Sequence, residues 1–130
     1  MRADLQTAWD FSTGHNTVTN ATTTVISNAG FWQVDLNCVL RATTSGSSSA
    51  SVQINDGLGN KIIWEAQLPG SSATIDFFGT FNENKFVVFL RSGDSLTVTS
   101  ASNDARVDIW YRQIADISGN LTNPSGFTSS

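Results

Sequence analysis

FWQVDLNCVLRAT, residues 31–43, alternates without a break. Its even positions carry Trp32, Val34, Leu36, Cys38, Leu40 and Ala42; after Phe31 the odd ones carry Gln33, Asp35, Asn37, Val39, Arg41 and Thr43. Successive side chains of a strand point to opposite faces, so this pattern specifies a half-buried β-strand with Trp32 in the core. At ~3.3 Å per residue, a dozen residues span roughly 40 Å, well beyond the usual strand of about five or six residues.

The same period continues on both sides. Residues 51–55, SVQIN, turn Val52 and Ile54 inward, and DGLGN at 56–60 reverses the chain. KIIWEAQL, 61–68, aligns Ile62, Trp64, Ala66 and Leu68, and PGSS follows as a turn. ATIDFFGTF, 73–81, aligns Ala73, Ile75, Phe77, Gly79 and Phe81; NEN at 82–84 reads as a turn. KFVVFLR, 85–91, is apolar on both faces, which suits a central strand or one covered by another subunit. The turns SGD and SND bracket SLTVTS, with Leu96 and Val98 inward. ARVDIWYRQI, 105–114, puts Val107, Ile109 and Tyr111 on one side and Trp110, with Arg106, Asp108 and Arg112, on the other. The Thr-rich stretch 17–27 reads as one edge strand.

This makes eight strands with turn signals every 8–12 residues, which predicts an all-β, antiparallel jelly-roll sandwich. Its body runs over residues 17–114, with an extended N-terminal arm at 1–16 and a C-terminal tail at 115–130. The one helical candidate is 4–9, where Asp4 can cap and Leu5 and Trp9 stand four apart.

Composition excludes several functions. The chain has 130 residues, enough for one domain, and only 14% are charged. Net charge is −4 and the seven basic residues are scattered, so no nucleic-acid footprint is expected. Cys38 is the only cysteine, which leaves no intrachain disulfide and no cysteine metal cage. No apolar run has the length of a membrane helix or the character of a secretory signal, so synthesis in a cytoplasm is expected.

No enzyme, metal site or cofactor is expected either. His15 is the only histidine and stands in a loop, without the partners that a triad requires. Cys38 faces inward, where a thiol behaves as a small hydrophobe. Asp56, Asp94 and Asp104 stand singly in turns, where Asp bonds its own backbone rather than converging on an ion.

Leu5, Trp9 and Phe11 are large apolar side chains ahead of the first strand, and Leu121 and Phe127 repeat the pattern in the tail. Either these ends cap their own sandwich or they anchor on another protein. The second is the expectation carried forward, since several anchors together offset the ordering cost of an arm.

Two segments carry a resemblance. GFWQVDLNCVLRA at 30–42 and RSGDSLTVTSA at 91–101 resemble the Gly-aromatic strand and the Gly-Asp turn-strand of trimeric jelly rolls of the tumour-necrosis-factor and complement-globular-head type, over roughly residues 30–112. The weakly charged Ser/Thr/Asn surface is similar to that of decoration (cement) proteins on tailed-bacteriophage capsids. The resemblance implies a homotrimer on the outer surface of a virion, bridging subunits of a major capsid protein. Its trimer interface would use Phe78, Phe86, Val87 and Phe89, with Trp110 as an outward anchor. The alternative is a fibre or spike head whose loops and Trp110 bind host glycans.

Overall fold

The computed structural model describes residues 14–42, 46–70 and 77–122. Within them eight strands form two antiparallel four-stranded sheets. In chain order they are β1 (Gly14–Thr19), β2 (Thr22–Ile26), β3 (Gly30–Ala42), β4 (Ser48–Asn55), β5 (Asn60–Leu68), β6 (Phe77–Leu90), β7 (Ser95–Ser100) and β8 (Ala105–Ala115). One sheet has the order β1-β8-β3-β6 and the other β2-β7-β4-β5. Only the β4–β5 hairpin joins neighbours within a sheet; every other connection crosses to the opposite sheet, which makes the sandwich a jelly roll.

β3 takes the conformation its period demands. Trp32, Val34, Leu36, Cys38, Leu40 and Ala42 are all buried. They meet Val52, Leu96 and Val98 of the facing sheet, with Leu90, Val107 and Ile109 alongside. The Trp32 indole donates to the Asn28 carbonyl at 3.0 Å, so its one polar atom is satisfied.

Four sequence-based expectations change. The Thr-rich stretch is two edge strands in different sheets, not one. The chain breaks at Asn20, whose φ of 47° is a left-handed conformation that Asn tolerates, and its N–H is held by Ser100 Oγ at 3.0 Å. NEN is not a turn: residues 73–81 and 85–91, read as two strands, share the single 14-residue β6 from Phe77 onward. Val34 pairs with Phe86 and Leu36 with Glu83, so two residues of β6 oppose Asp35 in a bulge. A second bulge in β5 pairs Val52 with Trp64 but Gln53 with Ile62. That extra residue reverses the facing, so Ile62 leaves the apolar row with Trp64 and Ala66 and is 56% exposed.

The boundaries also shift. β1 begins at Gly14, so residues 14–16 of the expected arm belong to the sandwich, and Asn16 Oδ1 accepts from the Tyr111 hydroxyl at 2.8 Å. β8 continues to Ala115, and the chain then turns at Asp116 and returns to pair Leu121 with Ala115. Thr122 closes the return, donating through N–H to Ile114 O and through its hydroxyl to Gln113 O. The helical candidate 4–9 lies outside the described residues.

Gly30 opens β3 at φ 136°, and a Cβ there would stand 2.7 Å from the Ala115 carbonyl oxygen. Gly30→Ala is therefore expected to destabilise by more than about 1 kcal/mol. Leu40→Ala, at a fully buried position, should cost about 2–5 kcal/mol. Leu58→Ala, at a position 95% exposed, should stay within about 0.5 kcal/mol. Urea denaturation of the three variants checks this order.

Candidate interaction surface

The outer face of the β1-β8-β3-β6 sheet carries four of the residues singled out from the sequence, Phe78, Val87, Phe89 and Trp110. On β8 the outward positions are Arg106, Asp108, Trp110 and Arg112; β1 adds His15 and Thr17, because His15 pairs with Trp110 and Thr17 with Asp108. The His15 ring stacks on Trp110 with centroids 4.9 Å apart and 25° between planes. His15 Nε2 stands 3.6 Å from Asp108 Oδ1. That carboxylate accepts from Thr17 Oγ1 at 2.5 Å and from Arg106 Nε and Nη2 at 2.9 and 3.1 Å. The Arg106 guanidinium holds the Asp108 carboxyl below the usual carboxylate range, with help from Thr17 and against the effect of burial.

This cluster uses up its own chemistry. The Asp108 oxygens are engaged by Thr17 and the Arg106 fork, and His15 covers one face of the Trp110 ring. Trp110 remains 39% exposed, and the buried Nε of Arg112, two residues along the same face, has no hydrogen-bond partner among the described residues. Cys38 is buried, and burial pushes its thiol up to about 11, so it is protonated at neutral pH. Among the described residues no group of three or more His, Cys, Asp or Glu side chains could hold a metal ion.

The β6 side of the same face is apolar. Phe89 pairs with Phe31 across the strands, their rings 4.6 Å apart, and exposed Val87 lies beside them opposite Gln33. Between the two sides runs a half-buried polar row in which Arg112 Nη2 donates to Gln33 Oε1 at 3.2 Å and Gln33 Nε2 to Asp35 Oδ2 at 3.4 Å.

The interface candidates therefore separate. Val87 and Phe89 form one patch, and Trp110 lies across the polar row with His15. Phe78 is 70% exposed but pairs with Arg41, ten residues along β3 from Phe31 and so roughly 33 Å away. Phe86 faces the other way: the bulge puts it opposite Val34, packed against the core. It lines a cleft of about 240 Å³ with Ile63, Trp64 and Glu83 on the flank between edge strands β5 and β6. Leu121 is 86% exposed, held among the described residues by its bridge to Ala115. Leu5, Trp9, Phe11 and Phe127 lie outside the described residues.

Sequence reasoning missed His15, Phe31 and the cleft. The only signal for the first two was their odd-numbered phase in alternating segments; the cleft depends on both bulges, which leave no local mark. It also missed a cluster at one pole of the sandwich. The links 27–29 and 91–94 join the sheets there, and the hairpin 56–59 and turn 116–119 lie at the same end. Exposed Leu58, Ile117 and Leu121 project from it.

No family model and no curated protein sequence matches the chain. Among solved structures, it is similar to a pentameric capsid protein isolated from metagenomic phage sequences, at 35% identity and a TM-score of 0.69, covering 95% of this chain and 75% of that one. A determination of such a protein by iodide SAD phasing matches at the same identity and score, covering 76% of that chain. Eiger TNF from S. frugiperda matches at 16% identity and a TM-score of 0.52, over 79% of this chain and 87% of that one, a likeness of fold alone.

Because the Asp108 carboxyl is lowered in the folded state, its contribution to stability is present above the ordinary carboxylate range and is lost as pH falls through the folded value. Asp108→Asn is expected to be less stable than the parent at pH 7, with the gap closing below about pH 4. Urea midpoints of both proteins between pH 7 and 3 measure it; a gap that stays constant contradicts the assignment.

Proposed function

This chain belongs to the family of the phage capsid protein that it matches at 35% identity, and on that premise we propose that it is a structural subunit of a phage virion that works by closing into a ring. The pentameric relative carries the ring, and the outer face of one sheet supplies its seams. The outer face of one sheet holds two different contact patches, His15–Trp110 toward the β1 edge and Phe31–Val87–Phe89 toward the β6 edge, parted by a polar row. A cyclic assembly of more than two copies joins one surface to a different one on the next copy. Two such patches could also pair with each other across a two-fold axis, so the pentameric relative is what selects the ring.

Five copies is the stoichiometry we adopt, after the pentameric relative. The homotrimer expected from the sequence rests on a likeness that carries the fold alone. The finer role is decoration of the outer capsid surface, bridging subunits of the major capsid protein. The pole that exposes Leu58, Ile117 and Leu121 is the surface we assign to that contact. Many shallow apolar contacts of this kind hold by multivalency. The role involves no catalytic step and no cofactor. The fibre-head alternative is not favoured, because the matched relative is a capsid protein.

Light scattering should give the mass of five protomers of 13.9 kDa. Phe89→Asp and Trp110→Asp, one from each patch, should each shift the protein toward monomer with an unchanged far-ultraviolet spectrum. Burial of such a side chain is worth about 1.5–3 kcal/mol per contact. A pentamer unaffected by both variants would sink these two patches as its seams, and a monomeric parent would sink the ring. Antibody labelling of intact and opened virions tests the location: label on intact particles is expected, and label only after opening excludes decoration of the outer surface.

A further inference from the structure

Asp56 is the one Asp or Asn in the chain that is followed by Gly. That pairing has a chemistry of its own. The backbone nitrogen of Gly57 can lose its proton and attack Cγ of Asp56. When the carboxyl is protonated, a C–O bond breaks and water leaves, which closes a cyclic succinimide. Water then opens the ring at either carbonyl. Opening at Cγ restores aspartate; opening at the backbone carbonyl leaves the chain running through Cγ, as isoaspartate. Water lost in the first step is regained in the second, and no oxidant or reductant is involved.

Sterically the tip of the β4–β5 hairpin is open to this reaction. A side chain after the aspartate would shield the nitrogen, and Gly57 has none; a Cβ placed there would meet nothing within 4 Å. Its φ of 82° is a left-handed conformation that Gly adopts without strain.

The hydrogen bonds close what the sterics leave open. The Gly57 N–H donates to Asn55 Oδ1 at 2.8 Å, which ties up the nucleophile. Asp56 Oδ1 accepts from the Leu58 N–H at 3.1 Å, and Oδ2 accepts from the Lys61 ammonium. Two consecutive side-chain turns and an ion pair thus fix both reacting groups. The Lys61 hydrogen bond, with that of the Leu58 N–H, also holds the Asp56 carboxyl below the usual carboxylate range. The protonated form, which alone releases water, is therefore scarce at neutral pH.

We propose that Asp56–Gly57 is a site of spontaneous isoaspartate formation that Lys61 and Asn55 hold shut. Lys61 restrains the leaving group and Asn55 the nucleophile. Conversion would lengthen the backbone immediately before Leu58. The inference concerns one hairpin of one copy and stands whether or not the copies form a ring.

The experiment ages the full-length protein at neutral pH beside the free peptide of residues 55–61, NDGLGNK, which lacks the hairpin. Isoaspartate at position 56 is read by peptide mapping with fragmentation that distinguishes the two linkages. The parent should accumulate it several-fold more slowly than the peptide. Lys61→Ala and Asn55→Ala should each accumulate it faster than the parent, at urea midpoints that show them folded. A parent that converts as fast as the peptide overturns the proposal, and so does a rate left unchanged by both substitutions.

Discussion

Everything in this molecule is referred to one constraint: neighbouring residues of a strand must face opposite ways, and β3 obeys it for its whole length. Its inner side chains supply the middle of the core, and it pairs with both β8 and β6. The outer face is therefore set by the same alternation that fills the inner one. Gln33, Asp35 and Asn37 stand outward because Val34, Leu36 and Cys38 stand inward. A slip of one residue against β8 would exchange Val107 and Ile109 for Arg106 and Asp108 in the core, an exchange that desolvation of the charged groups forbids.

That constraint explains what the sequence could and could not disclose. Alternation is local, so the buried sets of β3, β7 and β8 were readable residue by residue. The distribution of strands between two sheets is not local. Thr17 and Thr24 carry similar alternation, yet the corner at Asn20 sends them to different layers. The bulges were illegible for a related reason. NEN is polar enough to be a turn, and only the pairing of Phe86 with Val34 and Glu83 with Leu36 reveals that the strand continues. Each bulge shifts the phase downstream, which is why Ile62 and Phe86 ended on sides other than those expected. The contact surface was half legible: Val87, Phe89 and Trp110 stood out as excess apolar residues, whereas the stack of His15 on Trp110 joins residues far apart in the chain.

The charges tell a consistent story. Arg91 and Asp94 close one turn, and Lys61 and Asp56 flank another. Arg106 and Asp108 pair along one strand, and Arg41 meets Asp104 at 3.4 Å. These pairs are spent within the copy, mostly across a few residues. With 14% charged residues to begin with, the surface keeps little long-range field to steer a partner. In the proposed ring, recognition between copies would then fall to shape and apolar area, which favour slow, orientation-limited encounter over rapid capture.

For a building block of a shell that is a coherent combination. A single seam built from a few exposed apolar side chains would be a weak contact by itself. In the proposed ring every subunit would be held by two seams, and losing one would require breaking both. Each seam can then stay modest, modest enough that a misplaced copy dissociates before the ring closes around it. In the proposed ring, the two unlike patches would thus give assembly both its direction and its means of correction.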